Sequence, residues 1–331
     1  MTRNLLACCG SLTLDNVVLA DGRYLPRSCG GNVVYSALGA RLWHDRVGLV
    51  SRVGVDYPES FLTLLADQGL DLGGVVRGHG AHGMNVAFSY RPDGSRVRAF
   101  PPHLMAAIPP EERARFVDYT TLGVAHRFGV WNAFSPDGSE MPDCWLSSLR
   151  GVHCAAMPVE SHLSIAGHVR ASDATAAWLQ VDSPWYDERD LAVDHAQSLF
   201  SRIDALLPSE DDVQKAYPEM DIRQGVARIL QAGAKLVVLK RGSEGCIVFQ
   251  ADGSTRTLPV LATDIVDLTG AGDAFCGGLL AGMALGDDPV TAAMYGTVSA
   301  SFAIEGPGIS RLLAATPAEA SRRLTRLRGI S

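Results

Sequence analysis

Lysine is scarce in this sequence: Lys215, Lys235 and Lys240 are the only ones among 29 basic residues. None follows a glycine, so the Gly-x-x-x-x-Gly-Lys phosphate loop of Walker-type kinases cannot be assembled. Paired metal ligands are missing too. Nine histidines occur without a His-Glu-x-x-His spacing, and the seven cysteines, at 8, 9, 29, 144, 154, 246 and 276, form no Cys-x-x-Cys pair. Zinc is therefore not expected. An odd number of thiols fits a reducing compartment better than a disulfide framework, which predicts a cytoplasmic protein. No apolar run approaches membrane-spanning length, and Leu5 to Cys9 is too short for a signal-peptide core. A basic stripe is absent as well: the formal charge is -7 and the pI is near 5.7. Neither nucleic acid nor a membrane is expected as a partner.

What is present is a large apolar fraction, 47% of 331 residues, enough to bury one big α/β core with a small appendage. Short apolar runs alternate with helical stretches: Leu5 to Cys9, Asn32 to Leu42, Val47 to Val53 and Pro58 to Ala66, then Gly151 to Ala156, Trp178 to Asp182, Ile203 to Leu206 and Leu236 to Leu239. This rhythm predicts an α/β fold with a mostly parallel central sheet flanked by helices. Two segments break it. Asn16 to Ser28 and Asn85 to Phe100 read as hairpins turning at Asp21-Gly22 and Asp93-Gly94, because an aspartate-glycine pair suits tight turns. The expected division is a large α/β core over 1–15, 29–84 and 101–331, with 16–28 and 85–100 forming a small second sheet. Helices close the chain at Gly270 to Leu285, Asp288 to Ile304 and Pro317 to Leu327, the last behind a Thr316 cap.

The richest stretch is Asp267-Leu268-Thr269-Gly270-Ala271-Gly272-Asp273, followed by a helix of small residues. Sharp turning at Gly270 and Gly272 would aim the unpaired amides of Gly270, Ala271 and Gly272 into one space, where the helix dipole favours an anion. Asp273 in the first turn could accept a proton from an attacking hydroxyl. Asp273 also suits a helix start without any chemistry. Acids at both ends and further glycines at 277, 278 and 282 favour the phosphoryl-transfer reading. Mid-helix glycine costs about 1 kcal/mol against alanine, so three of them point to a backbone packed against something close. A nicotinamide dehydrogenase would need a third glycine where Phe275 stands, and Gly10 leads into a hairpin instead of a helix.

The stretch resembles the Asp-Thr-x-Gly-Ala-Gly-Asp signature of the PfkB, or ribokinase-like, carbohydrate kinases, with Leu268 where that family usually has threonine. Gly10-Ser11 with Asp15, Gly30-Gly31-Asn32 and Leu239 to Gly245 occur in the family's order, so the resemblance spans nearly the whole chain. It implies a ribokinase-like fold with a small β-sheet lid, ATP and Mg2+ as cofactors, and Asp273 as base beside an anion hole at Gly270, Ala271 and Gly272. It also implies that Asp15, Gly30, Gly31 and Asn32 contact a sugar. Lys240, Gly242 and Gly245 stand at a nucleotide loop where the family has Thr-x-Gly. Ser209 to Asp212 aligns with a family Asn-x-x-Glu motif tied to magnesium and phosphate, and Ser209 alone also reads as a helix cap. Asp267, Thr269, Ala303, Gly306, Gly308 and Ser310 stand where relatives place a monovalent cation such as K+. A homodimer is among the assemblies the family allows.

The acceptor is less legible. Some relatives carry Asp-x-Asn-x-Arg where this chain reads Asp182-Ser183-Pro184-Trp185-Tyr186, and the missing arginine argues against a phosphorylated or carboxylated substrate. An unphosphorylated sugar or polyol is expected, with Trp131, Trp185 and Tyr186 available to stack on a ring face. A nucleoside kinase of the same fold and a catalytically inactive sugar-binding regulator are the rival readings.

Overall fold

The computed structural model describes residues 5–19, 21–90, 96–97, 105–106, 108–113, 124–183 and 198–330. The first strand, β1 (Leu5–Cys9), is buried along its whole length and lies in the middle of a nine-stranded sheet. On one side of it come β4 (Val47–Val53) and β5 (Leu70–Arg77). On the other side come β8 (Leu149–Cys154), β9 (Trp178–Asp182), β10 (Ala205–Leu207) and β11 (Leu236–Lys240), all parallel. An antiparallel pair, β12 (Cys246–Gln250) and β13 (Thr255–Leu258), closes that edge. Helices cover both faces, so inner strands such as β1 and β10 are continuous apolar runs. The two edge strands β5 and β13 were not expected from sequence. Their residues are largely exposed and include charged and glycine positions, so neither shows an apolar run.

The chain order reverses across β1, which pairs with β4 on one side and β8 on the other. In open α/β sheets the crevice at such a switch point is where ligands bind. Over it lies the second sheet, in the order β3-β2-β6-β7. Its strands are β2 (Thr13–Val18), β3 (Tyr24–Gly30), β6 (Asn85–Tyr90) and β7 (Arg96–Val97). The expected first hairpin is present, turning at Gly22 with φ +83° and closed by Leu19 N–H donating to the Arg23 carbonyl at 2.9 Å. It is longer than the sequence suggested, so that Asp15 and Gly30 lie inside its strands. The Asp93-Gly94 turn expected for the second hairpin lies outside the described residues.

The glycines of the small-residue helix Ala271–Ala284 explain themselves by contact. A Cβ on Gly277 would sit 1.8 Å from the Ser36 carbonyl oxygen, and one on Gly278 would sit 2.6 Å from the Tyr295 carbonyl. One on Gly282 would meet Ala292 Cα at 2.6 Å. The helix is thus wedged backbone to backbone between helix Asn32–Arg41 and helix Pro289–Ala303. Caps fix the helix starts: Asp288 accepts the Val290 and Thr291 amides, and Thr316 accepts the Glu319 amide at 3.3 Å, as its sequence position predicted.

Candidate active site

Gly270 adopts the left-handed conformation (φ +73°) that turns the chain into helix Ala271–Ala284. The Tyr35 ring lies flat against it: a Cβ there would be 2.1 Å from Tyr35 Cδ1. Of the three amides expected to form an anion hole, that of Ala271 reaches the Leu268 carbonyl only at 3.5 Å, the long limit of a hydrogen bond. The amides of Gly270 and Gly272 have no backbone acceptor among the described residues. Asp273 is partly buried in the first helical turn. Next to the turn stands Lys240 at the end of β11, its Nζ 3.6 Å from where a Cβ on Gly272 would project.

Lys240 is held by a partner the sequence did not reveal. Its ammonium donates to both Asp182 oxygens, at 2.7 and 2.8 Å, and lies 3.8 Å from Cys276 Sγ. Burial alone would depress the lysine pKa, but the Asp182 carboxylate overrides it and holds the pKa above the ordinary lysine value. Asp182 also accepts the Ser183 amide at 2.7 Å. Beneath the pair, Gln180 donates to the Cys276 carbonyl at 2.8 Å, tying β9 to helix Ala271–Ala284. His153 and His162 lie in the same buried layer, and burial lowers their pKa values to about 3 and about 4.

From Lys240 the chain runs through Gly242 (φ +55°) and Gly245 (φ +83°) into β12. A side chain at Gly245 would strike the Leu258 carbonyl at 2.0 Å, so this turn admits only glycine there. The loop, the 260–268 segment, the first turn at Gly272 and helix Pro289–Ala303 enclose a groove of about 480 Å³. Its walls include Leu261, Ile265, Leu268 and Phe275, an apolar lining with Lys240 at the inner end. Such a shape suits a flat heterocycle with its charged tail directed to the turn. Ser209 sits beside Lys240 in a single parallel bridge. Its hydroxyl caps the following helix: Ser209 Oγ accepts the Asp212 amide at 3.2 Å while Asp212 Oδ2 accepts the Ser209 amide at 2.8 Å.

At the other end, Asp15 is 7% exposed, and its Oδ1 accepts the Thr13 hydroxyl at 2.5 Å. The carboxylate lies across Gly30, where a Cβ would overlap it at 2.1 Å. Gly31 (φ +115°) is pressed against the Ser11 carbonyl. Asn32 does not cap its helix. It bridges the two strands of the switch point, accepting the Ser11 amide at 2.9 Å and donating to the Ala156 carbonyl at 2.8 Å. Trp131 is buried beside Met84 and Phe134, whereas Trp185 and Tyr186 lie outside the described residues.

Between the two ends lies a group with no local sequence signal. The Tyr35 hydroxyl is fully buried without a hydrogen-bond partner among the described residues, about 4.0 Å from where a Cβ on Gly308 would project. Burial, and then the charges of Asp15, Asp267 and Asp273, hold its phenol well above the ordinary value, so it stays neutral. Asp267 is 1% exposed and well supplied with donors. Its Oδ1 accepts the Thr269 amide at 2.7 Å and the Tyr90 hydroxyl, and its Oδ2 accepts the Gly308 amide at 2.8 Å. Ser310 Oγ donates to the Pro307 carbonyl at 2.8 Å. No group of three acidic, histidine or cysteine ligands capable of holding a metal occurs among the described residues.

Comparison with known proteins matches residues 133–315 to the model of the pfkB family carbohydrate kinases. The cytidine kinase of Thermococcus kodakarensis is 31% identical over 288 residues, which covers 85% of this chain and 89% of that one. Among solved structures, Arabidopsis thaliana ribokinase complexed with ribose and ATP superposes with a TM-score of 0.69 at 17% identity, covering 98% of this chain and 99% of the other. A Vibrio cholerae fructokinase double mutant bound to fructose, ADP and potassium superposes at 0.68, also with 17% identity and the same coverage.

Proposed function

This chain belongs to the pfkB family of carbohydrate kinases, and on that premise we propose that it moves the terminal phosphoryl group of ATP onto a hydroxyl of a small, unphosphorylated sugar or polyol. The observation that carries the reading is the convergence at Gly272. Unspent amides and the Lys240 ammonium meet there at the inner end of an apolar groove, and Asp273 follows in the same first turn, near enough for its charge to act on Lys240.

In this reading the nucleotide base lies between Leu261, Ile265 and Phe275, and the phosphates run past Gly242, Gly245 and Lys240 to the turn. Asp15 accepts hydrogen bonds from sugar hydroxyls, while Gly30 and Gly31 let the strand pass close enough for Asp15 to lie at the pocket floor. Asn32 holds the floor together and presents its remaining N–H to the acceptor. Asp273 takes the proton from the attacking hydroxyl, and the amides of Gly270, Ala271 and Gly272 receive the charge that moves with the phosphoryl group. The small sheet acts as the lid that keeps water out.

Magnesium fits this donor set as a passenger on the nucleotide. Mg2+ keeps several waters and typically takes only one or two carboxylates besides phosphate oxygens, and no all-protein cage is needed. Once bound it would neutralise phosphate charge. Ser209 and Asp212 are occupied with each other and Asp182 with Lys240, so Asp273 is the carboxylate at the phosphate end that would face it.

The Thermococcus relative, named as a cytidine kinase, supports a second reading in which the acceptor is the ribose of a nucleoside. Both readings use Asp15 on adjacent hydroxyls. A coupled assay of ADP release over pentoses, hexoses, polyols and nucleosides separates them. Turnover with free sugars supports the first reading and turnover with nucleosides alone supports the second. Nucleotide binding without turnover on any acceptor would favour a sugar-binding regulator instead.

A further inference from the structure

We propose that Tyr90, carried on the small sheet, is a positioning residue for phosphoryl transfer: its hydroxyl fixes the Asp267–Thr269 segment that leads into the anion-binding turn and does there what a monovalent cation would do. The inference rests on the reading of that turn given above.

Tyr90 ends strand β6 and is 5% exposed. Its ring packs edge-on against Phe88 at 5.6 Å within the small sheet's own apolar cluster, which also holds Val17 and Leu19. The hydroxyl is therefore a stiff extension of the small sheet. It reaches 177 residues along the chain to donate to Asp267 Oδ1, and it also contacts Thr269 Oγ1. Thr269 directly precedes Gly270, so a displacement of the small sheet is passed by hydrogen bonds to the first donor of the hole. A loosely held hole loses preorganisation, and misplacement by about 1 Å is enough to slow an oriented reaction ~100-fold.

The same contacts bear on the cation. An ionised carboxylate offers about four acceptor positions. At Asp267 the Thr269 amide, the Gly308 amide and the Tyr90 hydroxyl already aim three hydrogens at it. A buried carboxylate must be compensated, and here protein donors supply that compensation from three separate segments. The donor set thus leaves little of Asp267 for an ion, and no step of the reaction is assigned to one.

The test is steady-state kinetics of the full chain and of Tyr90→Phe with ATP and its best acceptor, in potassium and in tetramethylammonium buffers, alongside thermal unfolding. For Tyr90→Phe, kcat should fall about tenfold or more while the KM for ATP changes less than about twofold, the pattern of a contact that matters in the transition state. Its unfolding midpoint should stay close to the parent's. Potassium should accelerate the variant and leave the parent unchanged. Phe88→Leu, which loosens the packing of the Tyr90 ring but leaves its hydroxyl in place, should lower kcat by less than Tyr90→Phe. A Tyr90→Phe enzyme within twofold of the parent kcat overturns the proposal. So does a kcat loss in Phe88→Leu larger than that in Tyr90→Phe, or a parent that depends on potassium. A parent inactive on every acceptor sinks the kinase-site reading and this proposal together, whereas an active parent with an indifferent Tyr90→Phe sinks only the proposal.

Discussion

Replacing Lys240 by methionine isolates the buried ion pair beside the turn. In the folded protein the Lys240 side chain is 16% exposed and Asp182 9%, with the ammonium bonded to both carboxylate oxygens. Lys240→Met keeps the aliphatic volume and leaves Asp182 with the Ser183 amide and a 3.9 Å contact to Cys276 Sγ. Breaking a buried pair from one side costs about 3–5 kcal/mol, because the remaining charge is uncompensated. With an unfolding entropy of about 2.1 cal/mol/K per residue, or roughly 0.7 kcal/mol/K for a chain of this length, the midpoint should drop by about 4–7 °C. Lys240→Met/Asp182→Leu should recover most of that loss, since exchanging both charges for apolar groups is often close to neutral. Because the lysine pKa is raised on folding, the stabilisation is fully present below the ordinary lysine value and fades only as pH rises through the raised one. The parent's contribution from this group should therefore be flat between about pH 6 and 9. Thermal and urea unfolding of the parent and the two variants measure each quantity. A Lys240→Met protein within about 1 kcal/mol of the parent, well below the cost of an unpaired buried charge, would refute the reasoning. The same variant should bind ATP more weakly if the ammonium also meets the phosphates.

Two further outcomes are expected. Asp273→Asn should keep the fold and ATP binding while kcat falls by about 10² to 10⁴, the usual worth of a positioned base; near-parental turnover would remove Asp273 from the mechanism. Buried His82, His153 and His162 have pKa values lowered by burial to about 4, about 3 and about 4. The unfolded chain takes up those protons first, so stability present above about pH 6.5 should be lost as pH falls toward the folded values, at up to about 4 kcal/mol per pH unit for three groups. A urea midpoint unchanged between about pH 6.5 and 5 would contradict that burial.

Local physics determined what could be read in advance. Inner parallel strands such as β1 and β11 announce themselves because both faces are covered, whereas β5 and β13 at the edges carry no apolar run. The Gly270 turn was legible because a positive φ leaves glycine as the natural choice, and the Ser209 cap because its partner is three residues away. Contacts between distant segments have no such signal. Lys240 meets Asp182 across 58 residues, and nothing near Tyr35 marks its hydroxyl as unpaired. The first hairpin was placed correctly by Asp21-Gly22, but its length depends on pairing with β6, far downstream.

The interlocked helices carry a last implication. With Gly277 admitting the Ser36 main chain into direct contact, and Gly278 and Gly282 admitting that of helix Pro289–Ala303, the helix that starts after Gly270 cannot slide against either neighbour. The span between donor and acceptor is then a fixed gauge, indifferent to which molecule is offered. If the proposed reading holds, diversification toward a new acceptor would fall on the small sheet and its rim, while the helices underneath pass unaltered from one specificity to the next.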